Sequence, residues 1–381
     1  MRKVSVFGST GSVGVNTINL IARRPDDFHV VALTGGQNIS LLAQQARALR
    51  AEIAVTANPD LLDDLRELLA GSGIEAAAGR GALLEAAARP ADWIMLAVVG
   101  FAGLELSLIA AKQGSTLALA NKESLVCGGA LLQQTCTRHG TRLLPVDSEH
   151  SAIYQCIGAQ DKEVERIILT ASGGPFLNST HAEMERASPE QAVAHPNWDM
   201  GQRISIDSAS MFNKAMEMIE TFVLFDVTPS QIEVIVHPQS IIHSMVGFTD
   251  GAIMAHLGPP DMRAPIGFAL NWPDRHDLPL ERLDFGALGE LTFQHPDKAR
   301  FPAIALAEQT IEMGGSAGAV FNAAKEQALD LFLARKIGFL DMARIVEAVL
   351  NSPQPTADAP ELETIIAVDA EARTRAIAAA G

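Results

Sequence analysis

Two carboxylates flank one serine in the segment PVDSEHS, where Asp147 and Glu149 stand on either side of Ser148, directly after the apolar run RLLPV. Carboxylates this close in sequence repel each other unless a cation neutralises them, and hard divalent ions take such oxygen ligands. The alternative is structural: Asp147 or Ser148 caps a helix and Glu149 lies in its favourable first turn. The segment alone leaves both interpretations open.

A third acid, Glu217, lies in the segment SIDSASMFNKAMEMIETFVLFD. The segment predicts one helix, on which Asn213, Lys214 and Glu217 share a face because residues three and four apart are neighbours. Glu217 could therefore complete a cation site, although an ordinary surface pair between Lys214 and Glu217 fits the same spacing. The helix is expected to have its cap at Asp207 or Ser208, to bury Met211, Ala215, Met218, Ile219 and Phe222, and to leave Glu220 in solvent.

Polar residues also follow the apolar run of LALANKESLV, where Asn121, Lys122 and Glu123 come directly after the predicted strand. Open α/β sheets bind ligands at the carboxyl edge of their strands, and PVDSEHS is predicted to reach the same edge. A solvated Lys–Glu turn is the simpler interpretation of the tripeptide by itself. Two neighbouring strand ends of this kind favour a functional edge.

The first predicted strand runs into a glycine-rich turn, VFGSTGSVG, which spaces Gly8, Gly11 and Gly14 three residues apart. Small residues at such a turn let the backbone approach a pyrophosphate, and the N-terminus of the following helix attracts it. A tight structural turn is the alternative. The next strand ends in ALTGGQN without the acid that binds the ribose hydroxyl of NAD, which favours NADP.

The elements that must position these residues are visible in the pattern of the chain. Up to about residue 147, short β-branched runs alternate with amphipathic stretches, which predicts a Rossmann-like, doubly wound parallel sheet. Later strands, three of them joined by short connections, predict an α+β catalytic domain with a mixed sheet, and helical periodicity follows from Pro302. The expected division is 1–147 for the dinucleotide, 148–270 for catalysis, 271–300 as a connecting segment and 301–381 as a C-terminal helical domain.

Composition restricts the class of protein. A formal net charge of −16 over 381 residues argues against nucleic acid and anionic membranes as partners. No apolar stretch is long enough to span a membrane, and no signal or transit peptide is evident at the N-terminus. Cys127, Cys136 and Cys156 form no CxxC pair, so we expect buried thiols and no structural disulfide. These features predict a soluble cytoplasmic protein.

Seven segments in order along the chain resemble the 1-deoxy-D-xylulose 5-phosphate reductoisomerase family: GSTGSVG, LANKESLV, PVDSEHSAI, SGGPF, HPNWDMG, ISIDSASMFNKAMEMIE and VHPQSIIHSMV. The resemblance implies an enzyme of non-mevalonate isoprenoid biosynthesis that rearranges and reduces 1-deoxy-D-xylulose 5-phosphate, a sugar phosphate, to 2-C-methyl-D-erythritol 4-phosphate. It also implies NADPH, a divalent ion (Mg²⁺ or Mn²⁺) and a homodimer. The ion would act as a Lewis acid on the substrate oxygens, and Glu149 and Lys122 are the nearest candidates for proton transfer.

The resemblance assigns roles residue by residue. NADPH would contact Thr10, Gly11, Ser12, Val13, Gly36, Gln37, Asn38, Asn121, Glu123 and Gly201. The metal ligands would be Asp147, Glu149 and Glu217, which together with Lys122 form the catalytic set. The substrate would contact Lys122, Ser148, Glu149, Ser172, His195, Trp198, Ser208, Asn213, Lys214 and Glu217. Gln37 departs from the basic residue that is frequent in the family, which weakens the expected hold on the NADPH 2′-phosphate.

The segment AHPNWDMGQR, residues 194–203, is expected to form a mobile loop that closes over the site. Pro196 and Gly201 bracket Trp198 in a stretch too polar for a core strand. A tryptophan that simply packs on the domain is the alternative. Closure would exclude water from the reacting substrate.

Other functions would require other residues in the sequence. A NADP-dependent semialdehyde dehydrogenase would need an activated cysteine, for which Cys127 is the candidate to test. A short-chain dehydrogenase is excluded, because Tyr154 is the only tyrosine and Gly158 occupies the position of the required lysine. A non-catalytic NADP-binding sensor would not need the acids, yet all three are present.

Overall fold

The computed structural model describes residues 1–158, 163–194, 201–353 and 360–381. The first half of the chain alternates strands and helices: β1 (Arg2–Phe7), α1 (Ser12–Ala22), β2 (Phe28–Gly35), α2 (Ile39–Leu49), β3 (Ile53–Thr56), α3 (Leu62–Leu68), β4 (Glu75–Ala78), α4 (Gly79–Ala88), β5 (Trp93–Leu96), α5 (Gly103–Ala111), β6 (Thr116–Leu119), α6 (Lys122–His139), β7 (Arg142–Pro145) and α7 (Ser148–Ile157).

The second half begins with a strand and ends in helices. Its elements are β8 (Val164–Ala171), α8 (His181–Glu185), α9 (Pro189–Ala192), α10 (Gln202–Ala209), α11 (Phe212–Leu224), β9 (Ile232–Val236), β10 (Ile242–Phe248), β11 (Ile253–Leu257), α12 (Arg263–Asn271), α13 (Phe285–Leu288), α14 (Ala303–Met313), α15 (Ala317–Leu333), α16 (Asp341–Leu350) and α17 (Leu362–Ala379).

The chain forms two compact units. The first comprises Met1–Ser124, Leu132–Ser148 and Asp261–Leu280. The second comprises Leu125–Leu131, Glu149–Pro260 and Glu281–Gly381.

The first unit contains a seven-stranded sheet in the order β4-β3-β2-β1-β5-β6-β7, with every neighbouring pair parallel. This confirms the predicted doubly wound sheet. The inner strands β3 and β5 are wholly buried and β1 is buried over its last four residues, as expected when helices cover both faces of a sheet. The order reverses between β1 and β5, and ligands bind at such a switch point.

The same unit recruits a helix from much later in the chain. The indole Nε1 of the fully buried Trp93 donates a hydrogen bond to the Ala269 carbonyl at 2.9 Å. Arg2 Nη1 donates to the Leu270 carbonyl at 2.6 Å. Helix α12 is thereby fixed to the parallel sheet.

The second unit contains a four-stranded sheet in the order β11-β10-β8-β9. The β10–β11 and β10–β8 pairs are antiparallel, whereas β8 and β9 are parallel. The short connection between β10 and β11 produces one antiparallel pair, whereas β9 and β10, also joined by a short connection, are not neighbours in the sheet. The predicted mixed sheet is confirmed. Helices α14 to α17 supply the predicted C-terminal helical region, with Phe321, Phe332 and Val346 in its core.

One helix prediction is wrong. The segment expected to be a single helix forms α10 and α11, because Met211 adopts a left-handed conformation (φ 63°, ψ 9°) between them. Asp207 is buried within α10 and pairs with Lys325 rather than capping a helix. Two burial predictions also fail: Glu220 is buried, and Phe222 is partly exposed.

Among the residues described, no helix combines the length and apolar character that crossing a bilayer requires.

Candidate active site

The glycine turn lies at the switch point of the parallel sheet. Gly8 has φ +86°, and a Cβ there would lie 2.5 Å from the Ala97 carbonyl oxygen, just beyond β5. A Cβ on Gly14 would lie 2.1 Å from the Gly8 carbonyl oxygen. Both positions therefore require glycine. Helix α1 begins at Ser12, after Thr10 and Gly11 and before Val13, and its N-cap Gly11 provides no side-chain cap. The backbone has the form expected of a pyrophosphate-binding turn.

The end of β2 adjoins this turn. The Ser9 amide donates to the Thr34 carbonyl at 2.7 Å, which brings the turn beside Gly36 and Gln37. Gln37 is exposed, and its Oε1 accepts a hydrogen bond from Asn58 Nδ2 at 3.3 Å. Asn38 caps α2 by accepting from the Leu41 amide at 3.1 Å.

Arg47 lies on α2, the helix that follows Gln37. Its Nε and Nη2 donate to the carbonyls of Leu68 and Ala70, each at 2.8 Å. Arg47 therefore joins α2 to the end of α3.

Asn121 organises the end of β6. Its side chain is 2% exposed; Nδ2 donates to the Val98 carbonyl at 2.7 Å and to Glu123 Oε2 at 2.7 Å, and Oδ1 accepts from the Ser124 amide at 2.9 Å. The side chain thus caps α6 and ties it to the loop after β5. Sequence reasoning placed Asn121 at this edge but did not foresee that its own polar atoms would hold the loop.

Lys122 and Asp147 follow the neighbouring parallel strands β6 and β7. The Lys122 ammonium lies 2.9 Å from Asp147 Oδ2, and both side chains are largely buried. The prediction that NKES and PVDSEHS reach one edge of the sheet is therefore confirmed. Ser148 follows as the first residue of α7.

In the second unit, one buried ammonium joins two carboxylates. Lys214 Nζ donates to Glu149 Oε1 at 2.8 Å and to Glu217 Oε2, and the side chains of Lys214 and Glu217 are 4% and 0% exposed. Burial disfavours the charged form of Lys214, but the charges of Glu149 and Glu217 outweigh it and raise its pKa. Asn213 Nδ2 donates to the other Glu217 oxygen at 2.6 Å. The surface-pair interpretation of Lys214 and Glu217 is therefore wrong.

The donor set fits a divalent cation. Oxygens of Glu149 and Glu217 lie within 4.8 Å of each other, and both carboxylates are removed from bulk water. Asp147 is two residues from Glu149 in the chain, so the Cα atoms of the two residues are at most about 7 Å apart. An all-oxygen set of this kind is what Mg²⁺ and Mn²⁺ prefer.

A second buried pair underlies this cluster and was missed by the sequence analysis. His150 Nε2 lies 3.0 Å from the Glu217 carbonyl oxygen and 3.1 Å from Thr221 Oγ1, and Nδ1 lies 3.8 Å from Glu220 Oε2. The hydrogen bond from His150 Nε2 to the Glu217 carbonyl links α7, which carries Glu149, to α11, which carries Glu217. The spacing Glu217–Glu220 is the signal that was overlooked, because residues three apart share a helix face.

Ser172 and Ser208 lie on adjoining segments of the second unit. Ser172 Oγ accepts a hydrogen bond from the Gly174 amide at 3.2 Å in the turn after β8. Gly174 has φ +64°, and a Cβ there would lie 2.9 Å from the Ser208 carbonyl oxygen. The structure therefore brings the SGGPF turn against the end of α10, as a shared binding surface would require.

The remaining site predictions divide in two. Gly201 is exposed and forms the N-cap of α10. His195, Trp198 and most of the expected loop lie outside the described residues. His243, in the VHPQSIIHSMV segment, was not selected from the sequence; burial lowers its pKa against the opposing charge of Glu149.

The fold and site define a class. The first unit has a doubly wound sheet with a glycine turn at its switch point, and the second has two carboxylates around a buried ammonium, as in dinucleotide-dependent oxidoreductases that use a metal ion. Family models agree. The model of 1-deoxy-D-xylulose 5-phosphate reductoisomerase matches residues 4–129, that of its C-terminal domain residues 143–225, and that of the DXP reductoisomerase C-terminal domain residues 257–375. The chain belongs to the 1-deoxy-D-xylulose 5-phosphate reductoisomerase family.

Full-length relatives support the assignment. The chain is 62% identical to the 1-deoxy-D-xylulose 5-phosphate reductoisomerase of Ruegeria pomeroyi over 384 residues, which cover 100% of this chain and 97% of the relative. It is 55% identical to that of Rhizobium meliloti, with 98% and 97% covered.

Solved structures have the same fold. The reductoisomerase from Zymomonas mobilis in complex with NADPH superposes with a TM-score of 0.94 at 51% identity, covering 100% of this chain and 99% of that one. A DOX-P reductoisomerase in complex with NADPH, fosmidomycin and magnesium gives 0.95 at 38% identity, covering 100% and 98%.

Proposed function

We propose that the protein converts 1-deoxy-D-xylulose 5-phosphate to 2-C-methyl-D-erythritol 4-phosphate, using NADPH and a divalent cation. The observation that carries the proposal is the pair of carboxylates Glu149 and Glu217 around the buried Lys214. The same chain has a dinucleotide-type glycine turn after β1 of its parallel sheet. Relatives crystallised with NADPH and magnesium support the same pair of cofactors. The semialdehyde dehydrogenase alternative is not favoured, since Cys127 is buried and the full-length relatives are reductoisomerases.

Asp147, Glu149 and Glu217 would hold the cation. Lys122 pairs with Asp147 in the first unit, and Lys214 pairs with Glu149 and Glu217 in the second. When bound, the cation supplies Lewis-acid activation of the substrate's carbonyl and hydroxyl oxygens. A cation on Glu149 and Glu217 would free the Lys214 ammonium to bind a substrate oxygen.

Lys122 and Glu149 are positioned to move protons. The Lys122 ammonium, held by Asp147, is a donor at the strand end, and Glu149 is an acceptor in the first turn of α7. Carbon–carbon bond cleavage and reduction both require proton transfer to or from oxygen, and these groups lie beside the proposed cation. Ser148, between the two ligands, would bind the same part of the substrate.

The substrate phosphate would be bound by the second unit. Ser172, Ser208, Asn213 and Lys214 supply hydroxyl, amide and ammonium donors from segments that adjoin one another. Asn213 Oδ1 is buried and has no hydrogen-bond partner among the described residues, which suits a site completed by substrate or water. His195 and Trp198 are proposed to complete the substrate contacts from the loop.

NADPH would lie across the switch point of the first unit. Thr10, Gly11, Ser12 and Val13 would bind the pyrophosphate, and Gly36, Gln37 and Asn38 would lie near the adenosine ribose. Glu123 and Gly201 would contact the same cofactor. Asn121 would act through the loop that its side chain holds in place.

We also propose a location, a cation preference, an oligomeric state and roles for the parts of the chain. Buried cysteines outside any disulfide suit a reducing compartment, in keeping with a cytoplasmic enzyme of non-mevalonate isoprenoid biosynthesis that accepts Mg²⁺ or Mn²⁺. The edge strand β11 carries Ile253 and Met254, 51% and 49% exposed, and a homodimer would cover them. We propose that 1–147 bind the dinucleotide, 148–270 carry catalysis, 271–300 connect and 301–381 support the site.

The direct test is consumption of NADPH by the purified protein with 1-deoxy-D-xylulose 5-phosphate and Mg²⁺ or Mn²⁺, with the product identified by mass and by its carbon skeleton. We expect one branched polyol phosphate per NADPH consumed, and no turnover in EDTA. NADPH consumption that persists in EDTA, or an unbranched product, would refute the proposal.

A further inference from the structure

Helix α10 is fastened to helix α15 of the C-terminal region by two ion pairs. Arg203 Nη1 lies 2.5 Å from Asp330 Oδ1, and Lys325 Nζ donates to Asp207 Oδ2 at 2.9 Å. Arg203 and Asp207 are one turn apart on α10 and pair with successive turns of α15 in the opposite order. The two helices therefore run antiparallel along this contact.

The two ion pairs differ in burial. The Arg203–Asp330 pair is exposed, whereas the side chains of Lys325 and Asp207 are 5% and 10% exposed. A buried ion pair is a weak stabiliser, because desolvation of both charges offsets their attraction. Its geometry, however, is specific, so the Lys325–Asp207 pair fixes the position of α10 more than it stabilises the fold.

Asp207 immediately precedes Ser208, and the backbone around them has little freedom. The Ser208 carbonyl oxygen adjoins Gly174 in the turn that carries Ser172, and Ser210 Oγ donates to the Ile206 carbonyl at 2.8 Å. The left-handed Met211 then leads directly into α11. A shift at Asp207 would therefore move Ser208 relative to the other donors proposed to bind the phosphate.

We propose that Lys325 is a positioning residue for the substrate phosphate: through its buried ion pair with Asp207 it holds Ser208 in register with Ser172 and Asn213. The inference rests on the proposed function, in which Ser208 binds that phosphate. The proposed role of Lys325 is exerted through Asp207, to which its Nζ donates. Removing Lys325 would raise the KM for the sugar phosphate through Ser208 by a larger factor than it weakens NADPH binding.

A double-mutant cycle tests the coupling. Lys325→Met, Ser208→Ala and the double variant are compared in KM and kcat for 1-deoxy-D-xylulose 5-phosphate, with NADPH affinity measured by fluorescence titration. If Lys325 acts through Ser208, its loss raises KM by roughly 3-fold or more in the wild-type background and much less once Ser208 is alanine, since coupled neighbours are non-additive. Lys325→Arg keeps the charge on Asp207 and should restore a KM near that of the wild type.

Arg373→Met is the matched control, because Arg373 pairs with Glu326 of α15 and Asp369 of α17 rather than with α10. It should show no coupling to Ser208→Ala. If Lys325→Met does not fold, the double variant Asp207→Asn with Lys325→Met removes both buried charges. This double variant then replaces Lys325→Met in the cycle with Ser208→Ala.

The outcomes separate the two proposals. A wild-type protein that consumes no NADPH with the sugar phosphate defeats the proposed function. An active wild type with additive effects of Lys325→Met and Ser208→Ala on KM, or equal coupling for Arg373→Met, defeats the positioning role alone.

Discussion

Replacing Lys214 by methionine should lower the thermal stability of the metal-free protein. The stability of this variant should then rise more with added metal than that of the wild type. The ammonium is the group seen to neutralise Glu149 and Glu217 within the second unit, and all three side chains are largely or wholly buried. Methionine keeps the length of the aliphatic chain but removes the charge. Two buried carboxylates would then face each other.

The magnitude follows from how close the two carboxylates are. Their oxygens lie no more than 4.8 Å apart, and unit charges at that limit repel by about 3.5 kcal/mol at an effective dielectric constant of about 20. Protonation of one carboxylate would relieve part of this at low pH, so the full cost applies near neutrality. A midpoint of thermal unfolding falls by roughly 2–4 °C per kcal/mol in domains of moderate size, which gives about 7–14 °C here.

The assay is thermal unfolding of Lys214→Met in EDTA and then in rising Mg²⁺. Ligand at about 100 times its dissociation constant stabilises by about 2.7 kcal/mol, so Mg²⁺ should restore most of the loss. Wild type should respond less, because Mg²⁺ must displace the ammonium from the carboxylates.

Lys298→Met is the control, since Lys298 forms an exposed pair with Glu308 and such pairs contribute at most about 1 kcal/mol. Should Lys214→Met unfold in EDTA at the wild-type temperature, or gain no more from Mg²⁺ than Lys298→Met, the electrostatic account of the cluster would be wrong.

Three further predictions address the cofactor turn and the thiols. Gln37→Arg should raise the preference for NADPH over NADH, because a charge-assisted bond to the 2′-phosphate is roughly twice as strong as a neutral one; an unchanged ratio of kcat/KM values would mean that another residue reads the phosphate. Gly14→Ala should weaken NADPH binding and spare metal binding, since its Cβ would collide with the Gly8 carbonyl; unaltered NADPH titration would remove the turn from the cofactor site. Cys127 is 3% exposed, and burial raises the pKa of Cys136 and of Cys156 to about 11, so alkylating reagents at neutral pH should leave activity intact; rapid inactivation would revive a thiol mechanism.

Local patterns predicted the parallel sheet and the strand-end clusters. The spacing of Gly8, Gly11 and Gly14 predicted the turn after β1. The acids that follow RLLPV predicted the end of β7. These inferences succeed because strand period, glycine requirement and chain direction are all short-range properties.

Features that depend on distant partners could not be read from the sequence. A left-handed methionine is unusual, so nothing local predicted the break at Met211 between α10 and α11. Glu220 is buried beside His150, which lies on another helix. Asp207 is buried in an ion pair with Lys325, which is more than a hundred residues away in the chain. Strand β4 was also missed, because EAAA has little β propensity and is ordered by pairing with β3.

The central claim is that Asp147, Glu149 and Glu217 form the cation site on which turnover depends. The most direct measurement is calorimetric titration of the metal-free protein with Mn²⁺, comparing wild type with Glu217→Gln and following NADPH binding in both. The account predicts one ion per wild-type chain, an affinity at least about 10-fold weaker in Glu217→Gln, and equal NADPH affinity. Equal Mn²⁺ affinity in the two proteins would contradict it.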